Sequence, residues 1–259
     1  MRAIKSSTVT FGLVSVPVKL YKAVDSHDIA FKQHHGGCGG PIGMERVCKD
    51  CEARVEFRDV VKGTTAADGS LVILDPEEVK GIDQELPAGI EVLQFTDRDE
   101  IDPIGYETGY YLAPASKAAL EGYTLLRTVL EEKQRVGLVR FALRGRLSLG
   151  VLRAAGDTLV IHTLAWPDEV REPAFPILDG EKAPKPAMLE MARQLVDAMT
   201  GSFNPADHVD TYTERLGQLI EARAAGESLA PAPSEEEVTI KDLLAALEAS
   251  IAKRKGTAA

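Results

Sequence analysis

Two groups of side chains in this 259-residue chain have the types and spacing to do chemistry. The first is basic. Arg127, Lys133, Arg135, Arg140, Arg144, Arg146 and Arg153 follow one another with only Glu131 and Glu132 against them. In an extended run after Gly137, Val139, Phe141 and Leu143 fall on one face and Arg140 and Arg144 on the other. An apolar face on a core with arginines opposite suits phosphate oxygens. Guanidinium groups are planar and permanently charged, and each phosphate contact releases counterions. The competing reading is a solvated strand face. Lys19 and Arg46 are outlying candidates of the same kind, with Lys22 and Lys62 behind them.

The second group is His34-His35-Gly36-Gly37-Cys38, followed by Cys48-Lys49-Asp50-Cys51. A C-x2-C knuckle with an upstream cysteine and a histidine, His34 or His35, supplies four tetrahedral ligands to zinc. Gly36, Gly37, Gly39 and Gly40 leave this loop little core of its own, so a metal clip would account for its order. Four protein ligands would close the site and make the zinc structural. The alternative is three reduced cysteines in a glycine-rich loop.

Other residues point less far. His162 lies in an apolar strand and reads as a core histidine. Asp97, Asp99, Glu100 and Asp102 read as a solvated turn and not as a nuclease metal cluster, because no histidine or lysine accompanies them. There is no P-loop, dinucleotide-binding glycine motif or G-x-S-x-G elbow. The expectation is a protein that is not an enzyme.

The elements that must carry these residues are mostly strands, then helices. Apolar and polar residues roughly alternate from Thr8 to Tyr21, with Pro17 marking an edge or bulge. Strands are predicted at Val55–Val61 and Leu71–Leu74, beside the turn Asp68-Gly69, and at Tyr106–Leu112. Others follow at Leu138–Arg144, Leu147–Arg153 and Leu159–Trp166, the last after the turn Gly156-Asp157. Asp75-Pro76 opens a short helix, and Ala119, Tyr123, Leu126 and Leu130 form one buried helical stripe. Short strands between turns predict a barrel or sandwich. Met188, Ala192, Leu195 and Met199 mark another helix, with Gly201 as its C-cap. Asn204-Pro205 opens one that carries Tyr212, Leu216, Leu219 and Ile220 and stops near Gly226. A Pro-rich linker precedes a last helix with Ile240, Leu244, Leu247 and Ile251 on one stripe, opened by the capping box of Thr239 and Asp242. That stripe needs a partner, either the chain's own body or a groove in another protein.

Composition bounds the reading. A net charge of −10 argues against a generic nucleic-acid coat, so basic residues that met DNA would have to be gathered on one surface. Three cysteines are too few for a disulfide framework and fit a reducing compartment. The N-terminus lacks a signal-peptide pattern, and no run of about 18 apolar residues could span a membrane. A cytoplasmic protein is expected.

Three segments carry a family resemblance: FGLVSVPVKLY (Phe11–Tyr21), HTLAWPDEVREP (His162–Pro173) and FNPADHVDTYTERLGQLIEAR (Phe203–Arg223). In order and spacing over roughly residues 1 to 225, the chain resembles prokaryotic Ku proteins of non-homologous end joining. The resemblance implies an α+β, β-rich fold: an antiparallel β-barrel with a DNA-encircling bridge, followed by a helical C-terminal arm. Residues 1–180 would form the barrel, with a zinc ribbon at about 31–55. Residues 181–225 would form the arm, 226–238 a flexible linker and 239–259 the last helix. It further implies sequence-independent binding of double-stranded DNA ends by a ring-shaped homodimer. A multifunctional repair DNA ligase would be recruited through the last helix. The rival reading is a zinc-containing β-barrel regulator that binds nucleic acid at internal sites. A single compact domain of this length has a radius of gyration of roughly 18 Å, too small to keep a core and enclose a duplex. Two symmetric copies are large enough.

Overall fold

The structure, a computed structural model, describes residues 1–180 and 183–228. They divide into two units, Met1–Ser26 with Ala30–Glu172, and His27–Ile29 with the chain from Pro173. The stripe Ile240, Leu244, Leu247 and Ile251 lies outside the described residues, as does most of the linker.

Gly12 divides what alternation alone makes a single strand. Its φ is +58°, and the pairing Phe11↔Val14 leaves Gly12-Leu13 as a two-residue turn between β1 (Lys5–Phe11) and β2 (Val14–Lys22). Glycine at the first turn position is what a type II′ hairpin requires. Pro17 sits one residue outside the β2–β6 register, where its carbonyl accepts from the Ala115 N–H. A missing N–H costs no ladder bond there.

Beyond the hairpin, β3 (Lys62–Thr65) and β4 (Leu71–Leu74) pair around Gly69, whose φ is +85°. The strand predicted over Val55–Val61 is not there. Phe57–Asp59 is a 3-10 turn, and pairing begins only at Lys62. α1 (Pro76–Gln84) begins as expected, with Asp75 and Glu78 forming a capping box.

The barrel is completed by β5 (Ile90–Asp97), β6 (Tyr106–Pro114), β7 (Arg135–Leu143), β8 (Arg146–Ala155) and β9 (Thr158–Leu164). Its closed order is β1-β2-β6-β9-β8-β7-β5. A ring of seven strands cannot alternate direction all the way round, so one parallel pair is obligatory. That pair is β1 with β5, at Val9↔Ile90 and Thr10↔Glu91. Gly89 precedes the seam, and a Cβ there would stand 2.8 Å from the Thr8 carbonyl oxygen. Only glycine lets the strands approach this closely.

Val9, Val18, Leu112, Val139, Leu152 and Ile161 fill the interior and are fully buried. α2 (Leu120–Glu132) adds Tyr123, Leu126 and Leu130, the stripe legible in its spacing. Tyr123 joins helix to barrel. Its hydroxyl donates to the Leu112 carbonyl at 2.6 Å and accepts from the Leu159 N–H at 2.7 Å. It therefore splices the end of the β6–β9 ladder, where Leu112 and Leu159 face each other.

The second unit contains α3 (Pro186–Met199) and α4 (Thr211–Ala224). Two termini differ from expectation. Gly201 does not cap α3: the helix ends at Met199 and Thr200 turns out in extended conformation. Asn204-Pro205 opens only a 3-10 turn, and α4 starts at Asp210, whose carboxylate accepts from the N–H groups of Tyr212 and Thr213. Asp210 satisfies two N–H groups of the longer helix, whereas Asn204 satisfies one, that of Ala206.

Tyr123→Phe should destabilise the first unit by about 1–3 kcal/mol, because a buried carbonyl and a buried N–H lose their shared partner. Urea unfolding should show a lower midpoint at unchanged slope.

Candidate functional site

The basic residues do not form a single face; they fall into three settings. In the first, an arginine is held by a nearby partner. Arg127 Nη1 on α2 donates to Glu131 Oε2 at 3.2 Å and to the Gly156 carbonyl at 3.0 Å, tying the helix to the β8–β9 turn. Arg135 meets Asp97 across β7–β5 at 2.5 Å, and Arg140 meets Glu91 across the same pair at 2.8 Å. These pairs are about half exposed, so each contributes little to stability.

The second setting is free and exposed. Arg144 does not share a strand face with Arg140, as the alternation implied. It stands with Gly145 in the two-residue turn between β7 and β8, with φ of +55° and +75°. Two left-handed positions define a type I′ turn, which the sequence concealed because arginine is unusual there. Arg146 opens β8 beside it. Both are exposed and make no ion pair among the described residues. Lys133 is exposed at the end of α2, on the rim of an apolar groove lined by Phe95, Leu125 and Val129. Lys19 lies part-buried on β2, and the Arg46 guanidinium sits 5.1 Å over the Phe57 ring.

The third setting is a cavity. Arg153 on β8 is part-buried, lines a cavity with Arg98 and His162, and makes only one long bond of 3.5 Å, to the Ala154 carbonyl. Burial, then the neighbouring Arg98 charge, pushes its guanidinium below the ordinary value. His162 is pushed down by burial first and then by Arg153 and Arg98, which keeps its ring neutral at physiological pH. Sequence reading missed Arg98, which lies in the acidic turn that follows β5.

The cysteines and histidines form two knuckles. His34↔Pro41 and Val47↔Arg54 are isolated bridges, each closing a short hairpin. In the first, His35 Nδ1 stands 3.1 Å from Cys38 Sγ, while His34 Nδ1 donates to the Gly39 carbonyl at 2.9 Å. In the second, backbone N–H groups of Cys51 and then Asp50, with the Cys51 side chain, hold the Cys48 thiol below its usual range. H-x2-C and C-x2-C thus present the same spacing on two hairpins. Among the described residues the four groups come together as two pairs, not as a cluster of three or more.

Large parts of the chain have no interior. From Ala23 to Gly89, and from Ala165 to Ser228, no described residue is buried. Yet Leu71 and Ile73 on β4, and Val196 and Tyr212 on the helices, are large, apolar and exposed.

Fold and site together define a closed β-barrel protein with a long coreless insertion and a helical extension. The family model for the Ku70/Ku80 beta-barrel domain matches residues 10–191. The chain is 42% identical to the non-homologous end joining protein Ku of Mycolicibacterium smegmatis, over 99% of this chain and 83% of that one. It is 39% identical to the protein of the same name from Mycobacterium tuberculosis, over 98% of this chain and 96% of its counterpart. A third relative, non-homologous end joining protein Ku 3 of Saccharopolyspora erythraea, is 39% identical over 93% of each chain. The chain belongs to the Ku family. Among the described residues no helix is long and apolar enough to cross a membrane.

Proposed function

We propose that two copies of this chain close around the end of a DNA duplex and hold it in non-homologous end joining, without reading bases and without catalysis. The observation that carries this reading is the match to proteins of that name over nearly the whole chain. Physical chemistry supports the pairing. A 23–89 excursion and a helical extension that bury nothing, yet expose large apolar side chains, need a second surface, and a symmetric copy is the commonest one. The proposed dimer uses the helical unit as its main interface. The proposed ligase-recruiting stripe is Ile240, Leu244, Leu247 and Ile251, which would lie in a groove of a repair DNA ligase as an amphipathic helix.

DNA contact falls first on Arg144 and Arg146, because no carboxylate has to be displaced there. Arg135 and Arg140 can join them, since their exposed pairs exchange partners at little cost. A net charge of −10 then keeps the remaining surface off the phosphates. Arg144→Gly, which keeps the left-handed turn, combined with Arg146→Ala, should weaken duplex-end binding equally on all sequences. The plot of log affinity against log salt should flatten by about one per lost contact. An unchanged slope, or a loss confined to one sequence, would remove these residues from the interface.

The two knuckles are proposed to close on one structural zinc through His35, Cys38, Cys48 and Cys51. The 3.1 Å separation of His35 Nδ1 and Cys38 Sγ is close to the roughly 3.5 Å edge of a zinc tetrahedron. His34, committed to the Gly39 carbonyl, would stay outside the ligand set. Protein purified in reducing buffer without chelator should carry about one zinc per chain. Cys48→Ser should lose the zinc and lower the melting temperature of the loop, whereas His34→Ala should retain the metal. Metal-free wild-type protein from that preparation contradicts the assignment.

A further inference from the structure

His162 Nδ1 is the one buried side-chain nitrogen or oxygen without a hydrogen-bond partner among the described residues. Such a group in a native interior calls for an explanation. His162 lies on the outer wall of the barrel, packed edge-on against Tyr106 with ring centroids 5.4 Å apart. Its other nitrogen faces Gly109, where a Cβ would come within 3.2 Å, so the ring is held in place by a missing side chain.

The ring borders a cavity of about 540 Å³ on the outer wall, with Arg98 and Asp99 from the turn after β5 and Pro103 beyond them. That volume falls in the range that holds small ligands. Arg98 and Arg153 both line it, and neither forms an ion pair among the described residues. Two guanidinium groups brought to one cavity without a carboxylate partner repel each other. Asp99 lines the cavity too, yet bonds to neither. A cavity that gathers an exposed and a part-buried guanidinium, neither ion-paired among the described residues, around an unpartnered imidazole nitrogen is suited to an anion.

We infer that this cavity binds a phosphate monoester of about mononucleotide size, with the phosphate between Arg98 and Arg153 beside His162. Guanidinium groups grip phosphate oxygens in pairs, and an imidazole nitrogen adds a third contact. Asp99 accepts a hydroxyl of the attached sugar and repels a second anion. Tyr106 and Pro103 supply a flat apolar wall for a base. On this inference Arg153 serves the cavity, whereas the sequence grouped it with the arginines expected to meet DNA. The phosphate can arrive on a free nucleotide or on the terminus of a nucleic-acid strand. The assignment does not depend on how the barrel holds a duplex.

Nitrogen-15 spectra of the histidine rings test it in the full-length protein. Inorganic phosphate and then adenosine 5′-monophosphate should shift the His162 resonances saturably. Arg98→Gln, an exposed and structurally silent change, should weaken that binding about tenfold, and Arg153→Gln should do the same. A shift caused by the mononucleotide identifies a free nucleotide as the source. A shift caused only by a 5′-phosphorylated duplex, and not by the same duplex with a 5′-hydroxyl, identifies a strand end. His162 resonances unmoved by any of these probes through millimolar concentrations overturn the inference. So does a shift of equal midpoint in Arg98→Gln.

Discussion

The parallel seam between β1 and β5 is the contact on which the rest of the first unit depends. Only two residue pairs form it, Val9↔Ile90 and Thr10↔Glu91, and they join positions some eighty residues apart in sequence. Closing so long a loop costs entropy that local contacts do not recover. Burial of Val9 and Ile90 in the barrel core, and the absence of a Cβ at Gly89, make the seam stable. Once it forms, everything from Ala23 to Gly89 is forced out as an excursion with both feet beside β1, since β2 and β5 are that strand's two neighbours.

Closure also decides what the basic residues can do. On β7, each arginine that faces a strand neighbour finds an acid across the β5 ladder: Asp97 for Arg135 and Glu91 for Arg140. Where the ladder ends, at the β7–β8 turn, the arginines have no such partner. Beside the turn after β5, exposed Arg98 and part-buried Arg153 line one cavity without an acid partner among the described residues. Three settings thus follow from position along β5, β7, β8 and their turns. The acidic total of the chain is compatible with anion binding because Arg144 and Arg146, and Arg98 and Arg153, form no ion pair among the described residues.

Elements with an unbroken period were legible in the sequence. The stripe of α2, the cap of α1, the strand Leu71–Leu74 and the strands from Tyr106 onward all stand close to where periodicity and turn residues put them. β5 was not legible, because a bulge between Val92 and Gln94 breaks its alternation and leaves only Ile90 and Thr96 buried. The β1–β2 turn hid for the opposite reason: alternation continues straight across a two-residue hairpin. Arginine in a left-handed turn and aspartate six residues past an Asn-Pro pair defeated rules that weigh residue type alone. For the site, the H-x2-C and C-x2-C spacings were readable. That His34 bonds the Gly39 carbonyl while His35 stands beside Cys38 needed the hairpin geometry. Pairing of the arginines, and the meeting of Arg98 with Arg153 at one cavity, needed the register and the folded turn. Neither is written in one dimension.

The central claim is that this chain holds DNA by its ends, because paired copies enclose the duplex and can be threaded only where it stops. Competition between a linear duplex and the same sequence as a covalently closed, nick-free circle measures that directly. The account predicts that the linear form displaces bound probe while the circle, at equal base-pair concentration, competes only as weakly as nonspecific phosphate contact allows. A circle that competes as well as the linear form would contradict it, and would mean that the arginines bind duplex DNA from one side without encircling it.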